Sequence, residues 1–462
     1  MTKGQAPARL HRVLGMPELV LFGLAYMVPL TVFTTYGVVT DLTQGHLPGA
    51  YVITLAAMLF TAYSYGRMVA AHPYAGSAYT YTQKAFGGHA GFATGWALML
   101  DYIFLPMINY LVIGIFINAA WPTVPNWVWV VLAIVLVTGL NVVGIKLVAR
   151  MNLVLVGFQV VFIAVFFLMA FRTMVAGAGV PSLTGPFLAD ADVSTLLAGA
   201  AILCLSFLGF DAISTLSEEA HNARRTIPRA IMLVTLIGGA TFIVVSYVGH
   251  LVFPDFTQFT NVDSAATDVM RRAGGAFLAS FFTAAYVAGC FASAMASQAS
   301  VSRILYAMGR DGVLPRRFLG RLHERFATPA NATLLVGAVS FVALVISLEL
   351  AAAVISFGAL VAFSMVNLSV IKHYLVDQGE RGSQAVLRYG VIPVIGFGLT
   401  VWLWTSLSAI TFQVGFAWLG LGLAYLVFLT RGFRRRPPVL DLSEAEIEPD
   451  RGAGGQVEGA AR

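Results

Sequence analysis

Apolar runs about as long as a bilayer is thick recur from one end of the chain to the other, separated by short polar turns. They predict twelve helical spans, near 16–39, 49–71, 91–119, 126–146, 150–172, 194–219, 229–252, 276–306, 331–348, 351–374, 387–406 and 410–431. Two of these spans are interrupted. In span 1, within LAYMVPLTVF (Leu24 to Phe33), Pro29 lacks an N–H and so deprives the Ala25 carbonyl of its helical partner, and Thr31 adds a hydroxyl nearby. In span 6, within FLGFDAIST (Phe207 to Thr215), Gly209 weakens the helix two residues before Asp211. The two interruptions lie five spans apart and therefore cross the membrane in opposite directions. Broken helices at matching positions of two inverted halves are the sequence pattern of a transporter binding site.

Composition agrees with the pattern. Of the 462 residues, 58% are hydrophobic and only 11% are charged, which excludes a large soluble enzyme. The basic N-terminal segment 1–15 leads straight into the first span with no small-residue cleavage site, so no removable signal peptide is expected. Cys204 and Cys290 both fall inside apolar spans, which argues against a disulfide framework and against a metal site. No cofactor is expected. The net charge of +6 is explained by orientation and not by nucleic acid: of the 28 Lys and Arg, all but Arg172, Arg271 and Arg272 fall on the termini and on alternate loops. Both termini are therefore expected on the cytoplasmic side of a multi-pass protein of the inner membrane. The tail, 437–462, is polar and acidic and is expected to be disordered, with Arg434, Arg435 and Arg436 anchoring its start at the lipid surface.

The buried acids carry the candidate chemistry. A charged side chain at membrane depth costs roughly 2.5–3.5 kcal/mol on insertion scales, so Asp211 is expected to face a wet cavity or a partner. It can anchor a cationic group or exchange a proton. Span 3 holds the second acid, in LDYIFLPMINY (Leu100 to Tyr110). Asp101 and Tyr102 are adjacent and point about 100° apart on a helix. Pro106 frees the Tyr102 carbonyl, so Tyr102, Pro106 and Asn109 form a polar, aromatic face. A tyrosine ring can hold an ammonium by cation–π attraction worth about 2 kcal/mol when dry. Glu218 and Glu219 follow Asp211 by about 10 Å, at the inner membrane edge near Arg224, Arg225 and Arg229, as gate or loop ion-pair candidates. His46 and His250 fall near the outer surface and carry little.

Three longer stretches resemble a known family. AGSAYTYTQKAFGGHAGFATGW (Ala75 to Trp96), FLGFDAISTLSEEAHNARRTIPRAI (Phe207 to Ile231) and SRILYAMGRDGVLPRRF (Ser302 to Phe318) followed by Thr328–Pro329 are similar to motifs of the amino acid–polyamine–organocation transporters. Their order and spacing hold from about Val13 to Arg436. LAYMVPLTVFTTYGVVTDLTQGHLPGAY, LDYIFLPMIN and SFLGFDAISTLSEE resemble the bacterial putrescine importers within that superfamily. The resemblance implies an all-α membrane protein of leucine-transporter-like fold: two inverted five-helix repeats, 16–172 and 194–374, plus two further helices, 387–431. It also implies proton-driven uptake of a small amine, with Tyr102 as a substrate contact and Asp211 as the acid of the unwound helix. One position departs. Several proton-coupled relatives carry a lysine in span 5 where this chain has Gln159, so any coupling falls to a carboxyl such as Asp101 or Asp211. Coupling is also dispensable in principle, since a dication moving inward gains roughly 4.6 kcal/mol per 100 mV.

The expected function is therefore import of a diamine, putrescine first, with protons and the lipid bilayer as partners. The alternative is an amino acid or monoamine carrier of the same fold, whose substrate carboxylate would seek the amide-rich helix end of span 1. A membrane-embedded enzyme or sensor has no metal-ligand cluster or Ser–His pair to support it. The expected substrate-binding residues are Ala25, Tyr26, Pro29, Thr31, Asp101, Tyr102, Phe207, Asp211 and Ser297, with Phe207 and Phe210 near a gate. Asp101, Asp211, Glu218 and Glu219 are the expected proton-coupling or gating groups.

Overall fold

The computed structural model describes residues 14–434 except 75–76, 144, 176–183, 189–190, 218, 261, 311, 313, 324–325, 327 and 433. Glu218 and the tail 437–462 thus lie outside the described residues. Among those described, every regular element is helical. The first half runs α1 (Met16–Met27), a 3-10 turn (Pro29–Phe33), α2 (Tyr36–Leu42), α3 (Leu47–Ala71), α4 (Ser77–Phe86), α5 (Gly88–Ala120), α6 (Asn126–Val143) and α7 (Ile145–Val175). The short α8 (Gly185–Leu188) precedes α9 (Val193–Phe207), a 3-10 turn (Ala212–Leu216), α10 (Ala223–Val252) and α11 (Ala265–Arg310), which kinks at Gly274 and Gly275. Then come α12 (Arg316–Leu319), α13 (Ala330–Val339) with its 3-10 extension (Ser340–Leu344), and α14 (Leu348–Val370) with a π-helical end (Ile371–Asp377). The chain closes with α15 (Ser383–Val386), a π turn (Leu387–Val391), α16 (Ile392–Thr405) and α17 (Ala409–Leu429). Eleven segments are long and apolar enough to cross a membrane, and the shorter Ala330–Leu344 falls on the remaining predicted span.

Both interruptions are present, and each has a local cause. Proline disfavours the helical region for the residue before it, so the break in span 1 falls at Val28 (φ 53°, ψ 103°). The freed carbonyls find other donors: Thr31 Oγ1 donates to the Met27 carbonyl at 2.7 Å and Ser293 Oγ to the Tyr26 carbonyl at 2.9 Å. In span 6, α9 stops at Phe207, Leu208 is extended, and Gly209 takes φ +122°, a conformation that L side chains rarely adopt. The spans predicted at 49–71 and 91–119 leave the stretch between them as a loop, but Ser77–Phe86 is a buried helix. Its Tyr79, Tyr81 and Thr80 go inward, a burial through mixed side chains that an apolar-run reading misses.

The broken span 6 is the centre of the bundle. In its most apolar window 89% of α9 and its continuation is buried, against 17% for α17, whose Phe416, Leu421 and Phe428 face outward as lipid-facing side chains would. Small residues let the helices approach closely. A Cβ at Gly289 on α11 would sit 2.6 Å from Gln159 Oε1 on α7 and 2.9 Å from Val28 Cγ1, so glycine is what allows α7, α11 and the span 1 break to meet. Away from the breaks, Gln298 pins three helices: it donates to Thr138 Oγ1 at 2.9 Å and to the Thr333 carbonyl at 3.3 Å, and accepts from Asn141 Nδ2 at 2.9 Å. At the predicted cytoplasmic end, Leu14 N donates to the Glu219 carbonyl at 3.0 Å and His221 N to the Leu14 carbonyl at 2.9 Å, which ties the start of span 1 to the end of span 6.

Candidate functional site

Two acids define the site. Among the described residues, Asp101 and Asp211 are the only buried carboxyl side chains, and no lysine or arginine is buried. Asp211 is held in the span 6 break. Its Oδ2 accepts from the Tyr102 hydroxyl at 3.0 Å and its Oδ1 from the Gly209 amide at 3.3 Å. Asp101, one residue before Tyr102 on α5, lies within electrostatic reach of Asp211, and its Oδ1 has no hydrogen-bond partner. Buried charge is tolerated when paired. Two acids without a buried protein cation therefore form a site that a cationic ligand or protons can complete.

On the side of the acids predicted to face outward is a small cavity with about 30 Å³ of free space, room for about two waters. Tyr26, Val28 and Thr31 from the span 1 break line it, with Asn109 of α5, Leu208 beside the span 6 break, and Tyr286, Cys290 and Ser293 of α11. Asn109 Nδ2 donates to Ser293 Oγ at 3.1 Å, so the polar side of this chamber runs from α5 through α11 to the Tyr26 carbonyl. The chamber is uncharged.

Aromatic rings close both ends. On the predicted outer side Phe282 packs edge-on against Phe33 (5.1 Å between centroids) and Phe116 (5.7 Å), and Tyr286 stacks on Phe282 and bonds to the Thr34 hydroxyl. Inward of the acids, Tyr65 meets Phe210 at 5.7 Å and Tyr81 at 5.9 Å, and Phe210 lies 5.2 Å from Phe363. The acids and the small chamber thus lie between two aromatic plugs.

The expected residues divide accordingly. Tyr26 and Thr31 line the cavity, Pro29 opens the 3-10 turn beside it, and Ala25 is buried in the last turn of α1. Asp101, Tyr102 and Asp211 form the acid cluster. Phe207 turns off the cavity: its ring packs edge-on against Phe242 of α10 at 5.4 Å, whereas Phe210 joins the inner plug. Ser297 is also off the cavity, donating to the Ser293 carbonyl at 2.6 Å. Glu219 reaches Arg303 of α11 at 3.1 Å, a pairing across helices instead of with the nearby arginines of its own loop. Asn109, Ser293, Tyr286, Cys290, Tyr65 and Tyr81 complete the surroundings without having been singled out as site residues. Asn109 was legible as the polar neighbour of Tyr102 and Pro106. Ser293 was not, because α11 is apolar around much of its girth and its phase cannot be read from the sequence.

Among the described residues, eleven helices long and apolar enough to cross a membrane, a shorter apolar twelfth, and two helix breaks beside a small polar chamber define a multi-pass membrane carrier. The chain belongs to the amino acid permease family, whose profile matches residues 18–431. It is 43% identical over 446 residues to the low-affinity putrescine importer PlaP of Escherichia coli (strain K12), covering 95% of this chain and 98% of that one. More distant similarity, 26% in each case over 91% of this chain and 94% of the relative, links it to the branched-chain amino acid permease BcaP and to the methylthioribose transporter, both of Bacillus subtilis (strain 168).

Proposed function

We propose that this protein imports putrescine or a closely related small diamine by alternating access in the inner membrane, with both termini on the cytoplasmic side. The observation that carries the proposal is the pair of buried acids, Asp101 and Asp211, with no buried lysine or arginine among the described residues to neutralise them. An organic dication supplies the missing charge, and Tyr102 beside Asp211 offers a ring face to an ammonium. The similarity to a putrescine importer over nearly the whole length supports the same cargo. The paired breaks support two inverted repeats, 16–172 and 194–374, that rock against each other, with 387–431 as an added helix pair.

The alternative cargo is an amino acid, favoured by the relative named as a branched-chain amino acid permease. The helix ends suit it poorly. A substrate carboxylate needs free amides at a half-helix N-terminus. Here Pro29 removes one donor at that position, the Thr31 amide is bonded to the Val28 carbonyl at 2.8 Å, and in span 6 the Gly209 amide is taken by Asp211.

Proton motive force drives the uptake in this reading, through its electrical part at least, since the cargo carries two charges. A proton on Asp101 or Asp211 is the available coupling route, because Gln159 stands where several proton-coupled relatives have a lysine. Uptake of labelled putrescine into cells expressing the protein, in competition with unlabelled putrescine, alanine or glutamate, tests the cargo. Displacement by putrescine and not by alanine or glutamate is expected; no displaceable putrescine uptake, together with saturable uptake of labelled alanine, would favour the amino acid reading.

A further inference from the structure

One side chain belongs both to the lining of the uncharged chamber and to the surroundings of the two acids. Tyr26 lines the chamber, and it is also within electrostatic reach of both Asp101 and Asp211. Its ring lies against the span 6 break so closely that a Cβ on Gly209 would be 2.5 Å from Tyr26 Cδ1. Its hydroxyl is buried and has no hydrogen-bond partner. Its own backbone is at the end of α1, one residue before the Met27–Val28 break, and its carbonyl is held by Ser293 of α11. A large ring on the last turn of a broken helix, packed on a glycine and without a polar tether, has the attributes of a movable part.

The chemistry on its two sides differs. The outer side offers Thr31, Asn109, Ser293 and Tyr286, all neutral. The inner side holds both carboxyls, with Tyr102 bonded to Asp211 and with Tyr65 and Tyr81 of the inner plug close by. Ser214, in the 3-10 turn after Asp211, lies on this inner side against Tyr81.

We propose that Tyr26 is a shutter that divides the path into two stations, an outer neutral chamber and an inner acid station walled by tyrosines, and that its ring must swing off Gly209 before an ammonium group reaches Asp101 and Asp211. Cargo is then recognised in two steps. Hydroxyl, amide and carbonyl groups hold one polar end first. The charged step follows only when an organic cation replaces the ring-to-glycine contact with cation–π contacts on the tyrosine walls. The identity of the cargo rests on the diamine reading above; the shutter does not.

Thiol accessibility tests the shutter without any cargo. Cys290 is a native reporter of the outer chamber, with Cys204 replaced by alanine. The Ser214→Cys variant, with both native cysteines replaced, reports the inner station. Right-side-out vesicles loaded with free cysteine to quench leakage receive 2-aminoethyl methanethiosulfonate, a small cationic thiol reagent, from outside. Cys290 should react at similar rates with Tyr26 and with Tyr26→Ala. The Ser214→Cys thiol should react slowly with Tyr26 and with Tyr26→Phe, which keeps the ring. In Tyr26→Ala it should react at least about tenfold faster, as for a shutter open a tenth of the time or less. Tyr26→Leu serves as a second variant with less change in volume and should also accelerate the reaction. Equal inner rates with and without the ring, or an inner thiol that reacts as fast as Cys290 in the presence of Tyr26, would overturn the shutter. A Cys290 that stays unreactive while the Ser214→Cys thiol reacts would overturn the order of the two stations. Failure of the diamine reading would show separately, as no saturable putrescine uptake by the same vesicles.

Discussion

The Tyr102 hydroxyl donates to Asp211 Oδ2 across 3.0 Å, joining the proline-containing third span to the broken sixth. This bond fixes where the acid points. A hydrogen bond to a charged group contributes about 1.5–3 kcal/mol, so Tyr102→Phe should raise the half-saturating putrescine concentration by roughly ten- to a hundredfold. Tyr102→Ala should lose more, because the ring goes with the hydroxyl. Equal losses in concentration-dependent uptake would assign the whole effect to the hydroxyl and remove the ring from ammonium binding.

Asp211→Asn keeps the shape of the side chain and deletes the charge that the cargo neutralises. Uptake should fall to background while the amount of protein in the membrane stays near normal, measured by immunoblot of washed membranes alongside the transport assay. Asp101→Asn should also impair uptake. Normal uptake by Asp211→Asn would take that acid out of the site.

The region around Gln159 makes a different kind of prediction. Because a methyl on Gly289 would meet Gln159 Oε1 at 2.6 Å, Gly289→Ala forces the amide aside. Overpacking of this kind costs about 1–3 kcal/mol, so the thermal midpoint in detergent should drop. Adding Gln159→Ala should recover part of the drop, a coupling that a double-mutant cycle reads directly. Strictly additive effects would mean that the two residues do not press on each other. Separately, Gln159→Glu places an ionisable group beside the Val28 break and should alter the pH dependence of uptake. An unchanged pH profile would show that this contact is outside the coupling path.

His72, which ends α3 just outside the span, gives a pH prediction. Its Nε2 is buried without a partner, and its ring is 4.7 Å from that of His373. Burial, followed by the positive neighbours His373, Lys84 and Arg224, pushes its pKa down to about 4. In the unfolded chain it titrates near about 6.5. As pH falls below that value, the unfolded state takes up the proton first and stability is lost, increasingly down to about 4. The thermal midpoint of His72→Gln should therefore fall less between pH 7.5 and pH 5, approximate working limits that bracket the unfolded value. Identical falls in the two proteins would contradict this.

The breadth of the fold was written in the apolar runs, since each span needs its own length of hydrocarbon-compatible side chains. The breaks were readable too, because Pro29 and Gly209 are local backbone causes. What the runs did not carry was α4, whose burial uses tyrosines and threonines, and the rotation of α9 and α11. In a helix that is apolar on nearly every side, no period marks the inner face. Phe207 and Phe210, three residues apart, thus end up against Phe242 and in the inner plug respectively, and Ser297 sits one turn away from the Ser293 that lines the chamber. The acids were found by their cost, which any membrane-depth carboxyl exposes in the sequence. The closing role of Tyr26 was not, because it arises from the contact of its ring with Gly209, distant along the chain.

The most direct measurement is radiolabelled putrescine uptake into proteoliposomes holding the purified protein, with a membrane potential and a pH gradient imposed separately. The account predicts saturable accumulation when the interior is negative, even with no pH gradient, and no accumulation in Asp211→Asn. Putrescine flux no greater than in empty liposomes under either gradient would contradict it.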